Sequence, residues 1–267
     1  MNARALSAYV DGVGLLGPGF ASWDEGAPVL SGTRALVLQA TVLPPPEGLP
    51  PAERRRTGSI VRLALAAGHD ALRQARVPGA QLPAIFTSSG ADGPNCHEIC
   101  AELTAERQLS PTRFHNSVHN AASGYWGIAT GATPASNALC AFDASFGAGL
   151  LEALVQVQIE RTSVLLVAYD ANYPEPLFAQ RPIPDAFGVA LVLSPVAGAA
   201  ALGRLSVAAS SAAAERMEQP ALEVLRGAIP AARSLPFLAQ LAQRATRGVV
   251  IDYLEPHNLA LSIEPCR

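Results

Sequence analysis

Short apolar runs alternate with segments of helical period through the first two-thirds of the chain, and this alternation restricts the fold more than any other feature. "LPAIFTSSG", "ASNALCA", "SVLLVAYD" and "FGVALVLSP" read as strands. Between them, "AERRRTGSIVRLALAAGHDALRQA" (Ala52 to Ala75) sets Ile60, Leu63, Leu65 and Leu72 on one broad helical face. "SFGAGLLEALVQVQIE" repeats Leu150, Leu151, Leu154 and Val157 at helical spacing, and "GPNCHEICAELTAER" reads as a further helix. Strands and helices in this order predict an α/β fold, with a central sheet covered by helices on both faces. "LSAYVDGVGLLG" (Leu6 to Gly17) adds a β-rich start. After Pro195 the pattern thins. "RLSVAASSA" is a candidate strand, Leu222 to Ala242 reads as helical, and "RGVVIDYL" and "NLALSIEP" read as two final strands. The prolines of "LPPPEGLPP" (Leu43 to Pro51) make a stiff connector, and one domain over residues 1–267 is expected.

Composition narrows the function classes. Charged residues make up 15% and hydrophobic residues 49%, so apolar surface is expected to meet a partner chain. A net charge of -3 with no extended Lys/Arg run argues against nucleic acid; Arg54, Arg55 and Arg56 read as a solvated helix start. No apolar run reaches the ~20 residues that span a bilayer, and "MNARALSAYVDGVGLLG" lacks a signal-peptide core, so a cytoplasmic location is expected. Four cysteines, Cys96, Cys100, Cys140 and Cys266, are too few and too unevenly spaced for a disulfide framework.

Three places could carry chemistry. Cys140 precedes a helix N-terminus, which favours a thiolate; as a strand residue it would instead be a small buried hydrophobe short of the turn. His115 and His119 in "FHNSVHN" would share a helix face and could bind zinc or act as a base, but zinc needs a third ligand and no "HExxH" is present. Cys96 and Cys100 in "NCHEIC" read as core thiols, and His257 in "LEPHN" as a lone loop histidine. "GVGLLGPG" has neither the Lys-Ser/Thr of a phosphate loop nor a following helix, so no nucleotide is implied, and neither metal nor cofactor is expected.

From Arg54 to Pro195 the chain resembles the β-ketoacyl synthases, condensing enzymes of the thiolase fold. The segments "LSPTRFHNSVHNAASGYWGIATGATPAS" and "CAFDASFGAGLLEAL" carry most of the likeness. More narrowly, it is similar to the short synthase-like subunits described as chain length factors in aryl polyene and xanthomonadin-type pigment clusters. The resemblance implies a thiolase-like layered fold, essentially the N-terminal half of a ketosynthase (residues 1–195) with a truncated second half (196–267). It implies an elbow where a synthase presents its cysteine. Here the elbow reads Ala141-Phe142-Asp143-Ala144-Ser145. The register that matches Ser145, which Ser136, Glu152 and Ala153 also keep and which is preferred, puts Asp143 at the cysteine position; the register counted from Pro134 puts Phe142 there. Neither side chain can form a thioester. The Gly-Thr-Gly-Thr expected after a first catalytic histidine is replaced by "NLALS", so no catalytic role passes to His257.

The same resemblance implies a dimer strand at Ser136, Asn137, Ala138, Leu139 and Cys140, and Phe114, Tyr125 and Trp126 as rings closing a partner's acyl tunnel. The implied role is that of a subunit not catalytic alone. It would pair with a full-length ketosynthase that extends chains held on acyl carrier protein, in aryl polyene, polyketide or fatty-acid-like biosynthesis. Two other readings differ in kind: an acyltransferase or thioesterase using Cys140 with His115 or His119, and a homodimer that binds carrier protein.

Overall fold

The structure, a computed structural model, describes residues 6–105 and 107–266. In chain order its elements are β1 (Leu6–Leu16), α1 (Trp23–Leu30), α2 (Pro51–Arg54), α3 (Ser59–Ala75), β2 (Ala84–Thr87), α4 (Gly93–Ala105), α5 (Pro111–Asn116), α6 (Ala121–Thr130) and β3 (Ser136–Leu139). There follow α7 (Ser145–Glu160), β4 (Val164–Asp170), α8 (Leu177–Gln180), β5 (Phe187–Ser194), β6 (Gly203–Ser210), α9 (Pro220–Ala228), α10 (Leu235–Gln243), β7 (Arg247–Ile251) and β8 (Asn258–Pro265). Short 3₁₀ turns lie at Phe142–Ala144 and Pro230–Ser234.

All eight strands form one mixed sheet in the order β3-β2-β4-β5-β1-β6-β8-β7. β2 runs parallel to β3 and β4, and the other neighbours are antiparallel. β1 joins two regions of this sheet. Tyr9 to Leu16 pair with β5, Leu6 to Val10 pair with β6, and the register shifts between Val10 and Gly12. The residue in that bulge, Asp11, is buried; it accepts from Ser194 Oγ at 2.5 Å and Gly198 N at 3.0 Å. β4 and β5 are buried along their whole length, which explains their unbroken apolar sequences. β6 alternates between buried and more exposed positions, so its signal in the sequence is weaker.

Two cores flank the sheet. On one face Leu63, Leu65 and Leu72 of α3 and Trp126 of α6 pack with Phe86 and Tyr169. On the other, Leu150, Leu154 and Val157 of α7 join Val13, Leu166, Leu205, Leu261 and Phe237. That second cluster takes residues from both sheet regions, so residues 196–266 share a core with the rest of the chain. α3 lies unusually close to β1. A Cβ on Gly14 would fall 1.9 Å from the Ala67 carbonyl oxygen, and one on Gly12 2.3 Å from that of Ala71. The opposing atoms are backbone, so nothing can rotate away. Gly14→Ala is expected to cost about 3 kcal/mol or more, read as a lowered denaturant midpoint.

Two expectations from periodicity need correction, and one helix, α1, was not expected. Ala52 to Ala75 is two helices, α2 and α3, parted at residues 55–58, so Arg54 to Arg56 end the first and do not start the second. Leu222 to Ala242 is not one helix: Pro230 has no N–H and holds Ile229 extended (φ -116, ψ 117), which separates α9 from the Pro230 turn and α10. α1 escaped the periodic reading because Gly26 and Pro28 lie inside it, although Ser22 caps it by accepting from Glu25 N.

Candidate functional site at the strand-to-helix elbow

Between the end of β3 and the start of α7 the chain turns within five residues. Phe142, at the apex, has φ +52, a left-handed conformation that a bulky residue adopts only under constraint. Ser145 supplies part of that constraint: its Oγ donates to the Phe142 carbonyl at 2.7 Å and accepts from Ala141 N at 3.1 Å. Thr87 Oγ1 in turn donates to the Ser145 carbonyl at 2.9 Å, fixing the turn to β2. The elbow therefore thrusts one side chain outward, and Phe142 is 60% exposed.

Arginines from distant segments close over this elbow. The Arg181 guanidinium lies 3.7 Å from the Phe142 ring centroid and donates to Asp143 Oδ1 at 2.5 Å. Arg233 donates to Asp143 Oδ2 at 2.9 Å and lies 4.0 Å from Asp252. Asp252 accepts from Arg226 at 2.5 Å, and Arg226 also holds Glu223 through two nitrogens, at 2.8 and 2.7 Å. Charges thus alternate from Arg181 to Glu223 and join the elbow to residues of the last third of the chain. The hydrogen bonds from Arg226 pull the Glu223 carboxyl down to about 2.

Behind the elbow lies Asp170, at the end of β4 and 3% exposed. It accepts from Ser89 Oγ at 2.6 Å, Ser89 N at 2.8 Å, Ser88 Oγ at 3.3 Å and Ala231 N at 2.8 Å. Burial outweighs these bonds and pushes its carboxyl up to about 6.

The cysteine and histidine candidates do not assemble into a catalytic group. Strand β3 ends at Leu139, so Cys140 is not a strand hydrophobe; it is exposed and its thiol donates to the Ser89 carbonyl at 3.3 Å. His115 is on α5, whereas His119 lies in the turn beyond it, so the two share no helix face. Cys96 and Cys100 are exposed on α4 and are not core thiols. His257 is exposed in a turn. Among the described residues, no three His, Cys, Asp or Glu side chains come together as metal ligands.

Of the three rings expected to reach a partner, only Phe114 points outward, at 65% exposure. Trp126 (1%) and Tyr125 (3%) belong to their own core. Trp126 packs near Phe86, with centroids 6.1 Å apart, and the Tyr125 hydroxyl donates to Asn116 Oδ1 at 3.0 Å. Both are corrected to core residues because α6 lays them against α3 and β2. Of the segment expected as a dimer strand, Ser136 to Leu139 form β3 and Cys140 lies beyond its end. β3 is a terminal strand of the sheet, bonded to β2 alone, with Ser136 and Asn137 exposed. Exposed Leu103, Val118 and Ile128 lie on the α4–α6 segment that leads into it.

Residues 33–252 match the family described as "Beta-ketoacyl synthase, N-terminal domain". The chain belongs to the β-ketoacyl synthase family. No curated protein matches it. A solved structure entitled "Ketosynthase (ApeO) in Complex with its Chain Length Factor (ApeC) from Xenorhabdus doucetiae" contains a chain similar to it. The two are 26% identical with a TM-score of 0.72, over 96% of this chain and 99% of that one. The ishigamide ketosynthase/chain length factor (13% identity, TM-score 0.72) and the AntDE:AntF complex (11%, 0.73) share the fold over 98% of this chain and all of theirs. The layered α/β architecture expected from the resemblance is therefore established. At the elbow of this β-ketoacyl synthase family member, neither Phe142 nor Asp143 carries sulfur, and the nearest cysteine in sequence, Cys140, hydrogen-bonds to a carbonyl. Among the described residues, no helix is long and apolar enough to cross a membrane.

The resemblance located the elbow and the edge strand, but it missed Arg181, Arg233, Asp252 and Asp170. Asp170 left a signal, a lone carboxylate ending the apolar run "SVLLVAYD". The arginines left none, since they lie 38 and 90 residues from Asp143.

Proposed function

We propose that this chain is a non-catalytic synthase-like subunit of the chain length factor type. It pairs with an active β-ketoacyl synthase in the cytoplasm to elongate acyl chains held on carrier protein, in aryl polyene, polyketide or fatty-acid-like biosynthesis. One observation carries the reading: a terminal strand, paired on one side alone among the described residues, stands beside an elbow whose outward side chain is a phenyl ring. The edge needs a partner strand, and the elbow cannot hold an acyl group. The 26% identical relative supports this, because it comes from a ketosynthase in complex with its chain length factor.

Within this proposal Phe142 takes the nucleophile's position, in place of the Asp143 that the sequence register favours, since Phe142 is the left-handed apex residue and points outward. Phe114 is the ring that lies against the partner's acyl tunnel. Residues 1–195 act as the first half of the thiolase-like fold and 196–267 as an abbreviated second half.

Co-expression with an affinity-tagged intact ketosynthase tests the proposal. The expected result is a one-to-one complex whose ketosynthase condenses carrier-bound acyl chains, with no acyl mass on this chain by intact mass spectrometry. A synthase that never co-purifies, and is equally active with the same product length alone, rejects the pairing. An acyl adduct on Cys140 rejects the non-catalytic role.

A further inference from the structure

The contact between Asp143 and its two arginines has the form of a filled binding site. Arg181 follows α8, and Arg233 comes from the Pro230–Ser234 turn; each supplies one guanidinium to one oxygen of the same carboxylate, at 2.5 and 2.9 Å. Both arginine side chains are about four-fifths buried, at 20% and 22% exposure. Together with Pro182, Val224, Pro230 and Glu223, whose carboxylate is held by Arg226, they line an open cleft of about 520 Å³. Two planar cations that converge on both oxygens of a carboxylate, with apolar walls around them, make a receptor for a small carboxylate anion. Surface ion pairs usually involve one flexible cation in open solvent, and this arrangement differs on both counts.

Charge balance shows why the pocket needs its occupant. Arg181, Arg226 and Arg233 face Asp143, Asp252 and Glu223, and at longer range Asp170 acts on Arg181 and Arg216 on Glu223, so four positive charges balance four negative ones. Without Asp143 the chain of charges carries a net +1. Arg226 stays satisfied by Glu223 and Asp252, so the excess falls on Arg181 and Arg233 at the mouth of the cleft. The aromatic faces of Phe142 and Tyr173, 3.7 and 5.9 Å from the Arg181 guanidinium carbon, favour a cation there but do not neutralise it.

The geometry points to an internal occupant: Asp143 fills an Arg181–Arg233 receptor for small carboxylates and so excludes acid-bearing ligands from the cleft beside the elbow. The inference concerns this chain alone and does not depend on the pairing proposed above.

Chemical rescue with acetate tests it on the purified full-length chain, with chloride at matched ionic strength as the control. Wild type is expected to respond identically to both salts. Asp143→Ala is expected to melt about 4 °C or more below wild type, because two part-buried guanidiniums lose their partner. Acetate, but not chloride, should restore most of that loss, with at least a tenfold gain in acetate affinity over wild type by titration calorimetry. Asp143→Asn, which keeps the shape and removes the charge, should gain acetate affinity in the same direction and serves if the alanine variant does not fold. Adding Arg181→Gln or Arg233→Gln should abolish the rescue. The inference is overturned if chloride rescues as well as acetate, if wild type binds acetate as tightly as the variants, or if rescue survives loss of either arginine.

Discussion

Ala138→Pro is expected to abolish co-purification with the ketosynthase while leaving this chain folded. The reasoning starts from which groups of β3 are already bonded. The Ala135 carbonyl accepts from Ala84 N and the Leu139 carbonyl from Ser88 N, so the odd-numbered residues turn their backbone groups towards β2. By the alternation of a strand, Ser136 and Ala138 direct theirs towards the free edge. Proline at 138 removes a donor from that edge, leaves its intended acceptor on the partner unmet, and adds ring atoms where the second strand must approach. Together these cost on the order of 3 kcal/mol, or about a hundredfold in affinity. Asn137→Pro is the control. It removes an N–H that faces β2, so it should lower the melting temperature of the isolated chain, which Ala138→Pro should leave nearly unchanged. Equal affinity for the ketosynthase in Ala138→Pro and wild type, measured by surface binding or gel filtration, would place the interface elsewhere.

How much of this could be read beforehand depends on how local each cause is. β4 and β5 were legible because both their faces are covered, which demands an unbroken apolar run. α7 was legible because one of its faces meets both regions of the sheet, and Leu150, Leu154 and Val157 record that face. Periodicity reports that a ring is apolar and in register, but not whether it meets its own core or another chain. Tyr125, Trp126 and Phe114 therefore looked alike in sequence, although the first two are buried and the third is not. The inverse holds for Cys96 and Cys100, whose helical spacing suggested a core on a helix that buries little beyond Gly93. The elbow itself was legible through resemblance. Its arginine contacts were not, because no local pattern links position 143 to 181 and 233.

Asp170→Ala should destabilise the chain by about 4 kcal/mol, a fall of roughly 10 °C in melting temperature, since it strands four buried donors at once. Asp170→Asn separates charge from shape. In the wild type, burial raises the carboxyl to about 6, above the ordinary Asp range, so the folded state holds its proton more tightly than the unfolded one. The associated stabilisation is complete below the unfolded value near 4 and is lost as pH rises through about 6. Over that window the group should withdraw on the order of 3 kcal/mol of stability. Burial also raises the carboxyls of Asp70 and Asp92, so only the wild-type minus Asn difference isolates this residue. That difference should change steeply between pH 4 and 7, as read from denaturant midpoints; parallel curves would mean that Asp170 does not titrate in the folded chain. Asp170 binds the loop that carries Ser89, whose carbonyl takes the Cys140 thiol, and it binds the turn that carries Arg233. Loss of its acceptors should therefore loosen the elbow from both sides. Faster amide exchange at residues 140–145 in Asp170→Asn, with α3 unchanged, is the local signature that distinguishes this from a uniform loss of stability.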